Sequence, residues 1–231
     1  MAAPMLTNTA TSKKSLKYAL FSNFLVVLLI AIVTLTLIHN KSGVDIISSP
    51  LLVTKCLSVW FIFVHLVLNF TFHSPIKEMQ KYKPSILLKT LGRGLIVSSV
   101  GVVLFHCLAV LFGAPFFDKT AETFHFAMLL ASTTVLPAVV HLGPSIEVWI
   151  KVFIFQSLDT VQEIAVFYSV VCSLLGSWCG AAPIPLDWDR PWQAWPITCV
   201  LGAILGHCAG LLMATLYLWQ QWYRGNKSKL V

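Results

Sequence analysis

The chain has 231 residues, of which 57% are hydrophobic and only 11% are charged, and its net charge is +7. Soluble domains carry about 25% charged residues, so this composition excludes a soluble globular protein. It also excludes a nucleic-acid-binding surface, because the basic residues lie at the ends of apolar segments rather than in one patch.

Six apolar segments follow one another along the chain, each 17 to 23 residues long. About 20 helical residues cross the hydrocarbon core of a bilayer, and a helix satisfies its own backbone hydrogen bonds there. We therefore predict an all-α integral membrane protein with short loops and a single six-helix membrane domain over residues 1–231. The predicted spans are 19–38, 51–72, 91–112, 123–142, 164–180 and 197–219.

The distribution of Lys and Arg predicts the orientation of these spans. If the connecting segments alternate between the two sides, one side holds twelve Lys and Arg residues and the other holds four. The richer side is normally cytoplasmic, so both termini are predicted to be cytoplasmic. The loops 39–50, 113–122 and 181–196 then face the lumen or the exterior. None of the connecting segments is long enough to form a core in water, so no extramembrane catalytic domain is expected.

The segment 144–163 is predicted to lie on the cytoplasmic side of the membrane. Apolar residues such as Trp149 recur there at helical spacing, with charged residues among them. This pattern is typical of an interfacial amphipathic helix, which we place near 145–160. Asp159 and Glu163 argue against a seventh span, because carboxylates are costly in hydrocarbon.

Small residues recur three or four positions apart in the fifth and sixth spans. They are Ser169, Ser173, Gly176 and Gly180 in the fifth span and Gly202, Gly206 and Gly210 in the sixth. This spacing places them on one face of each helix, and small residues let two helices approach closely in lipid. We expect the two spans to pack against each other, or one of them to hold a partner.

The loop 181–196 between these spans is rich in Pro and Trp, which predicts a rigid luminal loop. Three interpretations remain open: a knot that holds two helices in register, a docking surface for a partner or lipid headgroup, and a catalytic carboxylate pair. Two carboxylates are too few for a metal site, and no metal or cofactor is expected. The candidate residues are Pro183, Pro185, Asp187, Trp188, Asp189, Arg190, Pro191, Trp192, Trp195 and Pro196.

Cysteines and histidines provide weaker candidates. Cys179 and Cys199 flank the loop 181–196, either as two free thiols or as a disulfide. His106, Glu122 and His125 lie toward the luminal ends of the third and fourth spans and form a candidate polar cluster for a metal or a proton. The alternative is that such histidines are neutral and bonded to a neighbouring helix. Pro137 is expected to kink the fourth span.

Two stretches of the sequence resemble a known family. The run Gly176-Ser-Trp-Cys-Gly-Ala-Ala-Pro-Ile-Pro-Leu-Asp-Trp-Asp-Arg-Pro-Trp-Gln-Ala-Trp-Pro-Ile197 resembles the signature of the phosphatidylinositol-glycan biosynthesis class F (PIG-F) family. A second stretch is also similar and comprises Phe112-Gly-Ala-Pro115, Glu122-Thr-Phe-His-Phe-Ala127 and Leu142-Gly-Pro144. The resemblance covers about a third of the chain.

This resemblance implies a multi-pass endoplasmic reticulum protein of glycosylphosphatidylinositol (GPI) anchor synthesis. Members of the family bind and stabilise two large ethanolamine-phosphate transferases, PIG-O and PIG-G, which modify mannoses of the GPI precursor. The family subunit has no established catalytic residues. The resemblance therefore implies a non-catalytic stabilising subunit whose partners are these transferases, membrane lipids and the GPI precursor, with no nucleic acid.

Two further observations concern localisation and alternative functions. Lys227 and Lys229, near the C-terminus, resemble a dilysine retrieval signal of the endoplasmic reticulum, which acts only from the cytoplasm. The alternative functions are an intramembrane lipid-modifying enzyme and a lipid transporter. Either would use Glu122, His125, Asp187 and Asp189.

The sequon Asn226-Lys-Ser228 tests the predicted orientation. Asparagine-linked sugar is added in the lumen, so Asn226 is expected to remain unmodified on a cytoplasmic tail. Endoglycosidase treatment of the chain in microsomes should leave its electrophoretic mobility unchanged. As a control, the same sequon inserted with flexible spacers into the loop 113–122 should acquire sugar. Sugar on Asn226 would contradict the orientation.

Overall fold

A computed structural model describes the backbone of residues 10–38, 45–72 and 84–227, and the side chains of 16–37, 45–67 and 92–224. All regular elements within these residues are helical. The α-helices are α1 (Ala10–Ile38), α2 (Pro50–Phe72), α3 (Pro84–Leu111), α4 (Thr120–Thr133), α5 (Val135–Leu142), α6 (Ile146–Trp149), α7 (Val161–Ala181) and α8 (Ile197–Lys227). A π-helical turn, Ile150–Ile154, follows α6, and a 3-10 turn, Pro191–Gln193, precedes α8.

Six helical segments of the described chain are long and apolar enough to cross a membrane, as the sequence predicts. Five are single helices, and α4 and α5 together form the fourth. Several helices extend past the apolar segments: α1 begins at Ala10 and α8 continues to Lys227. Apolar length marks only the part of a helix that matches the hydrocarbon core, whereas good helix formers continue the helix beyond it.

The fourth span breaks at Thr134, between α4 and α5. Pro137 lacks an N–H group, so the carbonyl of Thr133 four residues earlier has no helical donor. His207 of α8 supplies one, because its Nδ1 lies 3.0 Å from the Thr133 carbonyl oxygen. A carbonyl can only accept, so Nδ1 carries the proton. The proline break therefore creates a hydrogen bond between the fourth span and α8.

The fourth span lies at the centre of the bundle. It packs against α2, α3, α7 and α8, whereas α3 packs mainly against α4 and α5 at one edge. The main core joins α1, α2, α4 and α8, and α7 packs along α8. The fully buried side chains of this core include Ile30, Val53, Leu57, Phe61, Leu129, Ile197 and Val200.

Helical structure is present where the sequence predicts an interfacial helix, but it ends at Ile154. The chain then turns at Gln156, whose φ is 51°, and reaches α7 in a non-helical conformation. The N-terminal cap of α7 holds the end of this connecting segment. The Glu163 carboxylate accepts the N–H groups of Asp159 at 2.7 Å and of Thr160 at 2.8 Å, so these groups are not available to continue the earlier helix.

A cation joins this cap to the π-helical turn. The Nζ of Lys151 lies 2.8 Å from a carboxylate oxygen of Asp159 and 2.8 Å from one of Glu163. The hydrogen bonds to Asp159 and Glu163 raise the pKa of Lys151 above its usual value. The hydrogen bond from Lys151 lowers the pKa of Asp159. The two carboxylates that argue against a seventh span therefore hold the segment between α5 and α7 in place.

Replacing Glu163 by Gln removes the charge opposite Lys151 and weakens the cap. We expect the substitution to lower the free energy of unfolding by about 1 kcal/mol, the usual effect of losing a helix cap. Denaturant unfolding of the purified chain in detergent measures this change. Glu147→Gln is the matched control, because Glu147 is exposed on α6. An equal loss of unfolding free energy in the control would contradict the assignment of Glu163 as the cap of α7.

The same network predicts a pH dependence. Because the folded state lowers the pKa of Asp159, its carboxylate contributes to the free energy of unfolding at neutral pH. This contribution is lost as the pH falls through the folded-state pKa. A raised folded-state pKa of Lys151 means that its contribution persists until alkaline pH. The difference in stability between wild type and Lys151→Met should therefore shrink in acid.

Candidate functional site

Two loops, 112–119 and 182–196, lie at the same end of the bundle, where α3 and α7 end and α4 and α8 begin. This is the end predicted to be luminal. Trp195 of the second loop connects the two regions, because its Nε1 donates to Thr123 Oγ1 of α4 at 3.0 Å. Its ring also packs edge-on against Phe126, with centroids 5.2 Å apart.

The glycine stripe lies inside the α7–α8 hairpin. At each of its five glycines, an added Cβ atom would run into a backbone carbonyl oxygen of the opposite helix, so a larger residue would push the helices apart. This stripe is therefore occupied within the chain and is not open to a partner. The glycines are Gly176, Gly180, Gly202, Gly206 and Gly210, and the opposing carbonyls belong to Gly202, Thr198, Gly176, Cys172 and Tyr168, respectively.

Polar contacts extend this hairpin to the fourth span. Ser173 of α7 lies fully buried, with its Oγ 2.9 Å from Thr133 Oγ1 and 3.1 Å from the carbonyl oxygen of Ala203 in α8. Thr133 is the residue whose carbonyl accepts the bond from His207. One residue of the broken fourth span therefore contacts both helices of the hairpin.

Gln193 holds the loop between α7 and α8 together. Its buried side-chain amide donates to the carbonyls of Pro183 and Leu186, both at 2.7 Å, and accepts the N–H of Arg190 at 2.8 Å. Sequence reasoning missed this residue. The available signal was that Gln193 is the one side-chain amide in a loop rich in Pro, where few backbone donors exist.

Other loop residues point to the surface. Pro185, Pro191 and Trp188 are exposed, Trp192 is half-buried with its ring centroid 5.8 Å from that of Trp188, and Pro196 is buried after a cis peptide bond. The charged residues Asp187, Asp189 and Arg190 are exposed and line a shallow depression of about 470 Å³. Within the described residues, the ion pairs are those of Lys151, so these three charges are unpaired.

The structure does not assemble His106, Glu122 and His125 into a ligand set. The Nδ1 of His125 bonds to the carbonyl of Ala121 in its own helix at 2.8 Å. The ring of Phe124 is a neighbour of both histidines, with centroids 6.2 Å from His106 and 5.6 Å from His125. Across the part of the chain that the structure describes, no three His, Cys, Asp or Glu residues could hold a metal.

Other sequence candidates are placed as follows. His207 and His65 are buried with ring centroids 5.2 Å apart, and His207 bonds to the fourth span, the arrangement of a neutral structural histidine. Cys179 and Cys199 are free thiols, the first exposed and the second buried. The side chain of Lys227 and all of Lys229 lie outside the described residues.

An apolar groove of about 520 Å³, which the sequence did not predict, lies beside the loop. Helix α3 forms one wall, α7 and the loop form the other, and α4 forms the floor. Its lining includes Phe105, Leu108, Ala109, Phe112, Gly113, Ala114, Pro115, Phe126, Leu130, Leu174, Ser177, Trp178, Ala181, Ile184, Pro185 and Trp195.

Comparison with known proteins identifies one family. The model of the "GPI biosynthesis protein family Pig-F" matches residues 16–215. A human protein named "GPI ethanolamine phosphate transferase, stabilizing subunit" is 43% identical over 120 residues, which cover 52% of this chain and 54% of the relative. No solved structure matches the chain.

Fungal proteins show the same similarity. "Glycosylphosphatidylinositol anchor biosynthesis protein 11" of Yarrowia lipolytica is 35% identical over 163 residues, 61% of this chain and 71% of that protein. The "PIGF/3-ketodihydrosphingosine reductase fusion protein" of Schizosaccharomyces pombe is 34% identical over 138 residues, 60% of this chain and 28% of the fusion. The chain spans about half the length of the human and mouse relatives that it matches.

Gln193→Ala tests whether one amide orders the loop. The substitution leaves the carbonyls of Pro183 and Leu186 and the N–H of Arg190 without their partner, which should cost about 2 kcal/mol of local stability. Hydrogen–deuterium exchange should therefore accelerate in the peptide 184–194. Gln220→Ala, at an exposed position of α8, is the control. Unchanged exchange in the loop would show that the prolines alone hold its shape.

Proposed function

Because this chain belongs to the Pig-F family of GPI biosynthesis proteins, we propose that it is a non-catalytic membrane subunit that binds and stabilises an ethanolamine-phosphate transferase. The observation that carries the proposal is the 43% identity to relatives named as the stabilizing subunit of that transferase. Six membrane spans with short connections are consistent with a subunit that acts within the bilayer.

The proposal extends to specific partners and to location. The partners are the PIG-O and PIG-G transferases, with membrane lipids and the GPI precursor as lipid contacts. The location is the endoplasmic reticulum membrane, with both termini in the cytoplasm and the loop 181–196 in the lumen. The excess of Lys and Arg on one side supports this orientation.

We place the transferase on the outward face of the α7–α8 hairpin. The fourth span is mostly buried within the chain and offers little surface. The outward face of α8 instead exposes Leu205, Leu212 and Leu216. In lipid, such a face gains from a partner through close packing rather than through removal from water.

Stabilisation then follows from mass action. A subunit that binds only the folded transferase shifts its folding equilibrium toward the native state. Without the subunit, the matching face of the transferase stays unpacked and its unfolded fraction rises. Cells remove unfolded proteins, so a change of about 1–2 kcal/mol is enough to alter abundance several-fold.

The alternatives of a lipid-modifying enzyme or a transporter are not favoured. Their candidate residues lie on two separate elements, with Glu122 and His125 on the first turns of α4 and Asp187 and Asp189 along a depression in the other loop, whose lining includes neither Glu122 nor His125. Loss of activity in Asp187→Asn with normal transferase abundance would favour an enzyme. A fall in transferase abundance that precedes any loss of activity would favour a stabilising subunit.

Gly206→Leu tests the dependence on the hairpin. An added Cβ meets the Cys172 carbonyl, so the substitution should separate α7 and α8. In cells that lack the endogenous chain, we expect transferase abundance to fall several-fold. A mild-detergent pull-down of the tagged wild-type chain should recover the transferase near one-to-one.

Gly92→Leu is the matched control, since a Cβ added there meets nothing within 4 Å. It should restore transferase abundance as well as the wild type does. Unchanged abundance with Gly206→Leu, when unfolding confirms that the hairpin is destabilised, would remove the hairpin from the mechanism. Recovery of the wild-type chain alone, stable and monodisperse, would contradict the subunit function itself.

A further inference from the structure

We propose that the apolar groove between α3 and α7 holds an acyl chain of a phospholipid whose headgroup carries a phosphate and a primary ammonium. The headgroup occupies the depression lined by Asp187, Asp189 and Arg190. The inference deepens the proposed function and rests on it in one respect, namely that this end of the bundle is luminal. It assigns the lipid contact to one site and one headgroup chemistry.

The groove exists because two helices diverge. Helix α3 packs against the fourth span, while α7 is drawn to α8 by the glycine contacts, so a space of about 520 Å³ remains between them. This volume lies within the range of about 300–1,000 Å³ that is typical of small-molecule sites. Phe105 and Leu108 line one wall, and Leu174 and Trp178 line the other.

Exposed apolar side chains stand on both rims of the groove: Phe112 is 81% exposed and Trp178 is 69% exposed. Both lie near the ends of predicted spans, so the proposal places the mouth of the groove against lipid. An empty space there would lose dispersion contacts, so a lipid chain is drawn into it.

A protein segment fits this groove poorly. An extended peptide would bury unpaired N–H and C=O groups. The polar groups in the lining are few, and the indole N–H of Trp195 is already bonded to Thr123. A hydrocarbon chain needs no such partners.

The apolar groove and the polar depression are neighbours, because Ile184 lines both. A lipid whose chain fills the groove would therefore need to pass only this side chain to bring its headgroup to the three charged residues. The depression holds about 470 Å³ and is open to the surface. Asp118 and Lys119 of the other loop do not line it, so they do not alter its charge balance directly.

The charge set selects the headgroup. Two carboxylates and one guanidinium leave one negative charge in excess, which disfavours a headgroup that is only anionic. Arg190 suits a phosphate, as guanidinium groups do generally. Asp187 and Asp189 suit a primary ammonium, which donates up to three hydrogen bonds. A trimethylated ammonium donates none, so it should bind less well.

The same groove joins the two stretches on which the sequence resemblance depends. Phe112–Pro115 form part of one side, and residues from 177 to 195 form the other. These stretches are separated by some 60 residues in the chain and are brought together by α4 and α7.

The first experiment maps the acyl chain. The full-length chain is reconstituted in phospholipid nanodiscs with an ethanolamine-headed phospholipid that carries a diazirine in one acyl chain. After irradiation, we expect mass spectrometry to find adducts concentrated on residues 105–109 of α3 and 174–178 of α7. Adducts spread evenly over all lipid-facing helices would overturn the proposal.

Two variants fill the groove from opposite walls. Ala109→Trp and Leu174→Trp should each reduce the adducts at the opposite wall about tenfold, since the added ring occupies the space of the lipid chain. Val100→Trp is the matched control, because Val100 lies exposed on α3 outside the groove lining. An equal reduction in the control, or none in either groove variant when both remain folded, would contradict the site.

The second experiment tests the headgroup by competition with unlabelled ethanolamine-, choline- and glycerol-headed phospholipids. The ethanolamine lipid should compete about tenfold better than the others, as expected for one charge-assisted hydrogen bond. Asp187→Asn combined with Asp189→Asn should abolish this preference for the ethanolamine lipid. Arg190→Gln should weaken the binding of all three lipids. Equal competition by all three against the wild type would overturn the headgroup assignment.

The two proposals fail in different ways. The lipid site fails alone if labelling is uniform while the transferase still co-purifies with the chain. It also fails if co-expressed transferase removes the groove adducts, because the groove is then a protein interface. The proposed function fails if no transferase co-purifies, whatever the pattern of labelling.

Discussion

The close contact between α7 and α8 is the constraint on which the rest of the structure depends. Water does not drive these helices together within a bilayer, so their association relies on packing and polar contacts. Five glycines allow each backbone to reach the other's carbonyl groups. Because the hairpin is held so closely, the loop at its end has two fixed anchor points, and α7 stands away from α3.

A broken helix connects this hairpin to the remaining spans. Pro137 leaves the carbonyl of Thr133 without a helical donor, and the ring of His207 in α8 donates a hydrogen bond to it. Ser173 of α7 bonds to the hydroxyl of the same threonine. An irregular backbone is tolerated in a membrane only where the protein satisfies it. The polar groups of Thr133 at the break are therefore hydrogen-bonded by α7 and α8, the two helices that the glycines join. These bonds connect the central fourth span to the hairpin.

The parts of the structure that the sequence predicts are those with strong local signals. Apolar length predicts the six spans, the proline predicts the break, and the spacing of three or four residues predicts which helix faces meet. The parts that it misses depend on contacts distant in sequence. Neither the role of Gln193 nor the groove has a local pattern, because both arise from where loops and helices meet. The candidate cluster of His106, Glu122 and His125 rests only on depth and on a shared helix face, whereas the structure turns the His125 side chain toward the carbonyl of Ala121 in its own helix.

A rigid end would favour binding if the chain is the non-catalytic subunit that we propose. The amide of Gln193 and the indole of Trp195 order the loop before any partner arrives, so association loses little conformational entropy. The hairpin also fixes one wall of the groove independently of what fills it. The exposed leucines on the outward face of α8 are not among the residues that line the groove beside α3. A transferase packed on that face, as proposed, would therefore leave the groove residues available to lipid, and one hairpin would support both.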